Sequence, residues 1–206
     1  MADERPIVYL EAGRPVYRAS ASGYCRRMLG AARLGYVPKP DSEYLLLAAR
    51  EGQRHEEWIV EDLVREGWQV FQRQKEIEVD LGALVVRGHV DGVAARGKRE
   101  LYVLEIKTMS RWMFGQLRRE GISYKHRCQM AVYSRALGLP ALYVVKCRDT
   151  GETERYVVND LDFREVEERL LEVELAALKD RLPKPDDDLC FGGRCQYDFL
   201  CPRGVL

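Results

Sequence analysis

Apolar residues recur at helical spacing over residues 43–66, which predicts the clearest helix of the chain. Ile59 and Leu63 lie four and eight residues after His55 and share its face, and Gly67 closes the run. Residues 20–36 read as a capped helix start followed by helical spacing. A strand-rich block comes next. Gln69–Phe71, Glu76–Leu81, Leu84–Ala95 and Glu100–Thr108 have β-branched and aromatic content, with turns at Gly82 and Arg96-Gly97-Lys98. Helical spacing returns over 112–137. Ala141–Cys147 and Glu154–Asn159 predict two more strands joined by Asp149-Thr150-Gly151. Residues 162–182 predict a long acidic helix ended by Pro183 and Pro185, followed by a Cys-rich tail with no regular period. This order predicts one α/β domain over 1–206 with a central mixed sheet flanked by helices. Within it we expect an N-terminal helical region at 1–42, a core at 43–160, and the acidic helix and tail at 161–206.

The 206 residues suffice to bury a sizeable core, and 46% apolar with 32% charged residues is a soluble, globular composition. No apolar run approaches the roughly 20 residues of a membrane span. The start, MADERPIVYLEAGRP, lacks the basic and then apolar segments of a secretory signal, so a cytoplasmic protein is expected. A formal net charge of zero excludes a general polycationic coat for nucleic acid. The distribution is uneven, however. Lys107, Arg111, Arg118, Arg119, Lys125 and Arg127 face a single acid, Glu120, with Trp112, Phe114 and Tyr124 between them. Such a stretch suits phosphates and stacked bases, although a solvated helical face accounts for a charge run equally well.

The chemistry concentrates in RGHVDGVAARGKRELYVLEIKT. Strand alternation puts Leu101, Val103, Glu105 and Lys107 on one face, and Tyr102, Leu104, Ile106 and Thr108 on the other. A strand that begins apolar and then sets a carboxylate beside an ammonium breaks its own pattern, as functional sites do. Asp91 lies near the end of the preceding strand and reaches Glu105 if the two strands pair. Two converging carboxylates bind a hard divalent cation, and a neighbouring lysine can orient or deprotonate a water or steady a phosphate. Read alone, these acids beside a lysine also suit an ordinary ion pair on an exposed strand.

Gly88-His89-Val90-Asp91-Gly92 followed by Leu104-Glu105-Ile106-Lys107-Thr108 closely resembles the PD-(D/E)xK nuclease signature in its RecB-like form. The resemblance spans Gly52 to Tyr133. It implies a restriction-endonuclease-like core and a Mg²⁺- or Mn²⁺-dependent deoxyribonuclease, an exonuclease acting on single-stranded DNA ends. It implies that Asp91, Glu105 and the Ile106 carbonyl hold the metal and that Lys107 serves the attacking water. Gly52-Gln53-Arg54-His55 fits the branch's upstream metal-binding histidine. Gln129 to Tyr133 fits its Gln-x-x-x-Tyr helix, which holds the lysine or contacts DNA. Arg111, Trp112, Arg118, Arg119, Lys125 and Arg127 would guide the strand. Glu56 and Glu57 neighbour His55 and could serve behind it at the site, but read first as solvated helix charges, and His89 and His126 have no place in the pattern.

Six cysteines point to metal or redox chemistry more than to disulfides. Cys190, Cys195 and Cys201 crowd the tail and Cys25 lies near the start, while Cys128 and Cys147 sit in core-like contexts. Four thiolates complete a zinc site or an iron–sulfur cluster, and spacing does not separate the two. One cysteine before the core and three after it resembles the iron–sulfur members of the RecB-like branch, the CRISPR-associated and AddB-type exonucleases. That likeness implies a 4Fe–4S cluster that docks the tail on the N-terminal helical region, although the gap from Cys190 to Cys195 is wider than theirs. Protein partners in recombination, repair or CRISPR spacer acquisition would follow, with no membrane partner. A non-catalytic DNA-end-binding or adaptor subunit is the competing reading, with the acidic helix as its docking face.

Overall fold

The computed structural model describes residues 6–97, 100–189 and 195–201. The first elements are strands. β1 (Val8–Glu11) and β2 (Arg14–Arg18) form an antiparallel hairpin inside the region expected to be helical. Its two-residue loop, Ala12-Gly13, has positive φ at both positions, 50° and 80°, matching the twist of the flanking strands. Alanine is a weak signal for that turn, which is why the sequence pattern did not mark it. A 3₁₀ turn at Ala19–Ala21 follows, and α1 covers only Arg26–Arg33 of the helix expected over 20–36.

α2 (Glu43–Arg65) matches the helical spacing closely. Next come β3 (Gln69–Phe71), β4 (Lys75–Asp80), β5 (Val85–Val90), β6 (Gly92–Arg96) and β7 (Glu100–Met109). The single strand expected over Leu84–Ala95 is broken at Asp91. β5 belongs to a four-stranded sheet of order β1-β2-β5-β4, and β6 to a five-stranded sheet of order β3-β6-β7-β8-β9. The chain therefore passes from one sheet to the other at the aspartate. Both sheets are mixed: β2 runs parallel to β5 and β7 to β8, and the other pairs are antiparallel. The result is a restriction-endonuclease-like α/β fold with two mixed sheets in place of the one central sheet expected.

The helix expected over 112–137 is two, α3 (Arg111–Glu120) and α4 (Tyr124–Leu137). Gly121 separates them at φ 82°, a conformation that costs glycine nothing. β8 (Ala141–Cys147), β9 (Thr153–Val158) and α5 (Phe163–Ala177) complete the order.

Alternation along β7 sorts the core. Val103 and Met109 join the α4 and α5 side, with Tyr17, Val90, Phe114, Met130, Tyr143 and Leu170. Leu104 and Ile106 face α2 and pack on Ile59, Val60 and Leu63. Ile59 and Leu63 are almost wholly buried, each worth roughly 1.5–3 kcal/mol, and they fix α2 across β7. The described part of the tail lies against α1, where Tyr197 packs with Cys25, Met28 and Ala31. Arg27 donates to the Leu200 carbonyl at 2.8 and 2.6 Å, and the Lys39 N–H donates to Gln196 at 2.9 Å.

Candidate active site

β6 and β7 pair antiparallel with Gly92 opposite Leu104, so the register continued by one residue faces Asp91 to Glu105. Asp91 is tied to the strand it faces, since its Oδ2 accepts from the Ile106 N–H at 2.6 Å. Glu105 is fully buried on the α4 side of β7. Its Oε1 forms an ion pair with the Lys107 ammonium, and its Oε2 accepts from Gln129 Nε2 at 3.2 Å. Gln129 and Tyr133 share a face of α4. The Gln129 amide donates to the Tyr133 oxygen at 2.8 Å, and the Tyr133 hydroxyl donates to the His89 carbonyl at 2.7 Å. A chain of bonds thus runs from the strand before Asp91, through α4, to the carboxylate of β7. Gly88 makes this approach possible. A Cβ there would stand 2.7 Å from Ala19 Cβ and 3.3 Å from the Tyr133 ring.

A half-buried acid beside a fully buried one is electrostatically uncomfortable. Burial and the neighbouring Glu105 charge push Asp91 well above the ordinary carboxylate range. Burial also raises Glu105, against the pull of Lys107. Burial alone would lower the Lys107 ammonium, but Glu105 and Asp91 outweigh it and hold the lysine above its ordinary value. The centre therefore contains more negative charge than it can comfortably hold, with a firmly charged lysine on one side.

His55 stands on α2, over the other face of β7. A Cβ at Gly52, three residues earlier, would lie 3.8 Å from Thr108 Oγ1. The imidazole meets Trp58 edge-on at 5.0 Å, and its Nδ1 is buried with no hydrogen-bond partner. Among the described residues, no three His, Cys, Asp or Glu side chains are already gathered closely enough to hold a metal ion. The donors nonetheless suit a hard divalent cation: a buried and a half-buried carboxylate that a positive charge would relieve, and an imidazole nitrogen without a partner.

Glu56, read from sequence as a solvated charge, adds its negative charge to both Asp91 and Glu105. Gln74 at 2.8 Å and Arg73 at 3.3 Å hold its carboxylate. Adjacency to His55 was the available signal, but which way the helix turned that position was not legible. His126 and Tyr143 form another wall, with Tyr143 Oη and His126 Nδ1 2.6 Å apart. Burial and the charges of Lys107 and Lys125 depress His126 to about 3.

The basic stretch divides. Lys125 lies near the centre, easing the Glu105 charge, with its ammonium 4.6 Å from the Tyr24 ring. Arg118 is held by Glu154 at 2.6 Å and Glu152 at 3.3 Å, and Arg127 by Asp160 at 3.0 Å, so acids of this chain occupy both. Arg111, Trp112 and Arg119 are exposed on α3.

Cys25, Cys195 and Cys201 border a small cavity of about 10 Å³, and the Asp186 N–H points at Cys25 Sγ from 3.3 Å. Cys190 lies outside the described residues. Cys128 and Cys147 are buried in the core, as their contexts implied.

Phosphodiester hydrolysis is the chemistry that paired acids and a charged lysine serve where two sheets part, and it places the molecule among the nucleases. The chain belongs to the PD-(D/E)XK nuclease superfamily, whose pattern matches residues 19–202. No curated protein sequence matches it significantly. Among solved structures it resembles the crystal structure of SSO0001, at 16% identity and TM-score 0.62, covering 94% of this chain and 88% of that one. An alkaline exonuclease from Laribacter hongkongensis superposes at 16% identity and TM-score 0.55, over 79% of this chain and 88% of that one. The same enzyme in complex with dAMP gives 17% identity and TM-score 0.51, over 79% and 89%. At such identities the likeness establishes the fold. No helix among the described residues is long and apolar enough to cross a membrane.

Proposed function

We propose that this chain is a divalent-metal-dependent deoxyribonuclease of the RecB-like branch, an exonuclease that takes single-stranded DNA ends. One observation carries the reading: Glu105 is sealed from solvent between Lys107 and Gln129, with Asp91 fixed opposite by the Ile106 N–H. An ion pair built only for stability would rarely be buried beside a second acid. Asp91, Glu105, the Ile106 carbonyl and the orphaned His55 Nδ1 would hold Mg²⁺ or Mn²⁺, the imidazole favouring Mn²⁺. Bound there, the cation would supply an acidified water and offset charge on the phosphate. Lys107 pairs with Glu105, which places its ammonium where it can position that water and the phosphate oxygens. Gln129 keeps the Glu105 carboxylate in place, and Tyr133 keeps Gln129 in place. Arg111, Trp112, Arg119 and Lys125 would guide the strand.

The test is degradation of end-labelled single-stranded DNA in Mn²⁺ by wild type and Glu105→Ala. Wild type should release nucleotides and the variant should not. A wild type inert in every divalent metal would return the chain to a DNA-end-binding or adaptor role in recombination, repair or CRISPR spacer acquisition.

The thiols of Cys25, Cys195 and Cys201 suit a thiophilic metal that pins tail to helix, with Cys190 as the fourth ligand. Both a 4Fe–4S cluster and zinc fit that donor set. A brown protein absorbing near 400 nm would decide for iron–sulfur; a colourless one with stoichiometric zinc would decide against it.

A further inference from the structure

A cleft of about 570 Å³ with His55 in its wall opens between α2 and the segments that follow β7 and β8. Its α2 wall carries Leu47, Arg54, His55 and Trp58, which the helical period sets along one stripe. The stripe adjoins the face that Ile59 and Leu63 bury on β7, with His55 at the border between the two. Leu47 and Trp58 remain 58% and 53% exposed, and the His55 ring stands at right angles to the indole with centroids 5.0 Å apart. Across the gap lie Ser110, three residues beyond Lys107, and Arg148. The two acids at the rim are engaged. Glu51 faces Arg148 at 3.5 Å, and Asp149 accepts from the Arg111 N–H at 2.6 Å. Arg54 has neither a hydrogen-bond nor an ion-pair partner among the described residues. The cleft thus combines a half-exposed indole, an uncommitted guanidinium and a second guanidinium held only loosely.

That combination matches one chemistry. A nucleobase offers an apolar π-face to an indole, and its flanking phosphates offer charge to two guanidinium groups. The volume falls within the roughly 300–1,000 Å³ typical of clefts that enclose small ligands, which suits a single nucleotide. A base still stacked in a duplex has both faces covered by its neighbours, so only an unpaired one can lie on Trp58.

We propose that this cleft seats one unpaired nucleotide of the substrate strand, its base stacked on Trp58 and its phosphates met by Arg54 and Arg148, and that Trp58 thereby selects single-stranded DNA. The proposal rests on the nuclease reading for the identity of the ligand, but its test reads binding, without catalysis. The probes are a fluorescein-labelled oligo-dT and an abasic oligonucleotide of equal length, titrated in EDTA and followed by fluorescence anisotropy. Wild type should bind oligo-dT about tenfold tighter than the abasic strand, the scale of one stacked base. Trp58→Ala should lose that preference yet bind the abasic strand as wild type does. Trp58→Phe should keep most of it. A variant that merely folded badly would lose both strands together, a result Trp58→Phe excludes if it behaves as wild type. Equal binding of the two strands by wild type, or an undiminished preference in Trp58→Ala, would overturn the proposal. Base preference without Mn²⁺-dependent cleavage would overturn the nuclease reading and support the cleft; cleavage without base preference would do the reverse.

Discussion

Replacing Asp91 by Asn should abolish metal-dependent cleavage and, in the metal-free protein, raise stability. The Asn oxygen can still accept from the Ile106 N–H at the 2.6 Å separation that Asp91 Oδ2 now holds, so the backbone tie survives. What disappears is a carboxylate that burial and Glu105 hold well above its ordinary range. The sign follows from linkage. A group whose folded pKa is raised stabilises the fold below its unfolded value, near 3.8, and that stability is lost as pH rises through the folded value. Above the unfolded value the wild type progressively incurs that loss, whereas the amide never does. The gain should be on the order of 1 kcal/mol, the usual size of stability recovered from a strained active site, or roughly 2–4 °C for a chain of this length. Metal should reverse the ranking. A cation at a hundredfold excess over its Kd adds about 2.7 kcal/mol to wild type, some 5–10 °C in Tm, and little to the variant. Thermal unfolding of both proteins in EDTA and in Mn²⁺, followed by circular dichroism, measures all four values. An Asp91→Asn protein that melts below wild type in EDTA, or gains as much from Mn²⁺, would refute the reasoning.

Tyr133→Phe strands both the Gln129 amide and the His89 carbonyl, so it should cost about 1–3 kcal/mol in urea unfolding and also slow cleavage by loosening Glu105. Glu174 is buried between the Tyr17 hydroxyl at 2.6 Å and Arg33 at 2.8 Å, so Glu174→Ala should destabilise by about 3–5 kcal/mol and leave the cleavage centre intact. His126, depressed to about 3, should show imidazole resonances that do not move between pH 5 and 8. Its folded pKa lies below the unfolded 6.5, so its contribution is fully present above 6.5 and is lost as pH falls toward 3, flattening in His126→Phe. An imidazole that titrates near 6.5 would contradict the burial assigned to it.

Sequence alone determined the strand carrying Glu105 and Lys107. A ten-residue strand has a strict two-residue alternation, so an acid and an ammonium on one face are legible before any coordinates exist. It also determined α2, because Ile59 and Leu63 can be buried only by a helix lying across an apolar surface, and the Gln129 to Tyr133 pair, because four-residue spacing on a helix is contact. Local signals failed where two conformations were close in energy. The hairpin at Ala12-Gly13 hid behind a poor turn residue, and the break between α3 and α4 depended on which side of Gly121 each helix packs. Tertiary structure decided the matters of long range: that β5 leaves one sheet at Asp91 and β6 joins another, that Glu56 leans on the centre, and that Arg118 and Arg127 are taken by Glu154 and Asp160. Each depends on residues far apart in sequence meeting in space, and periodicity along the chain carries no information about such meetings.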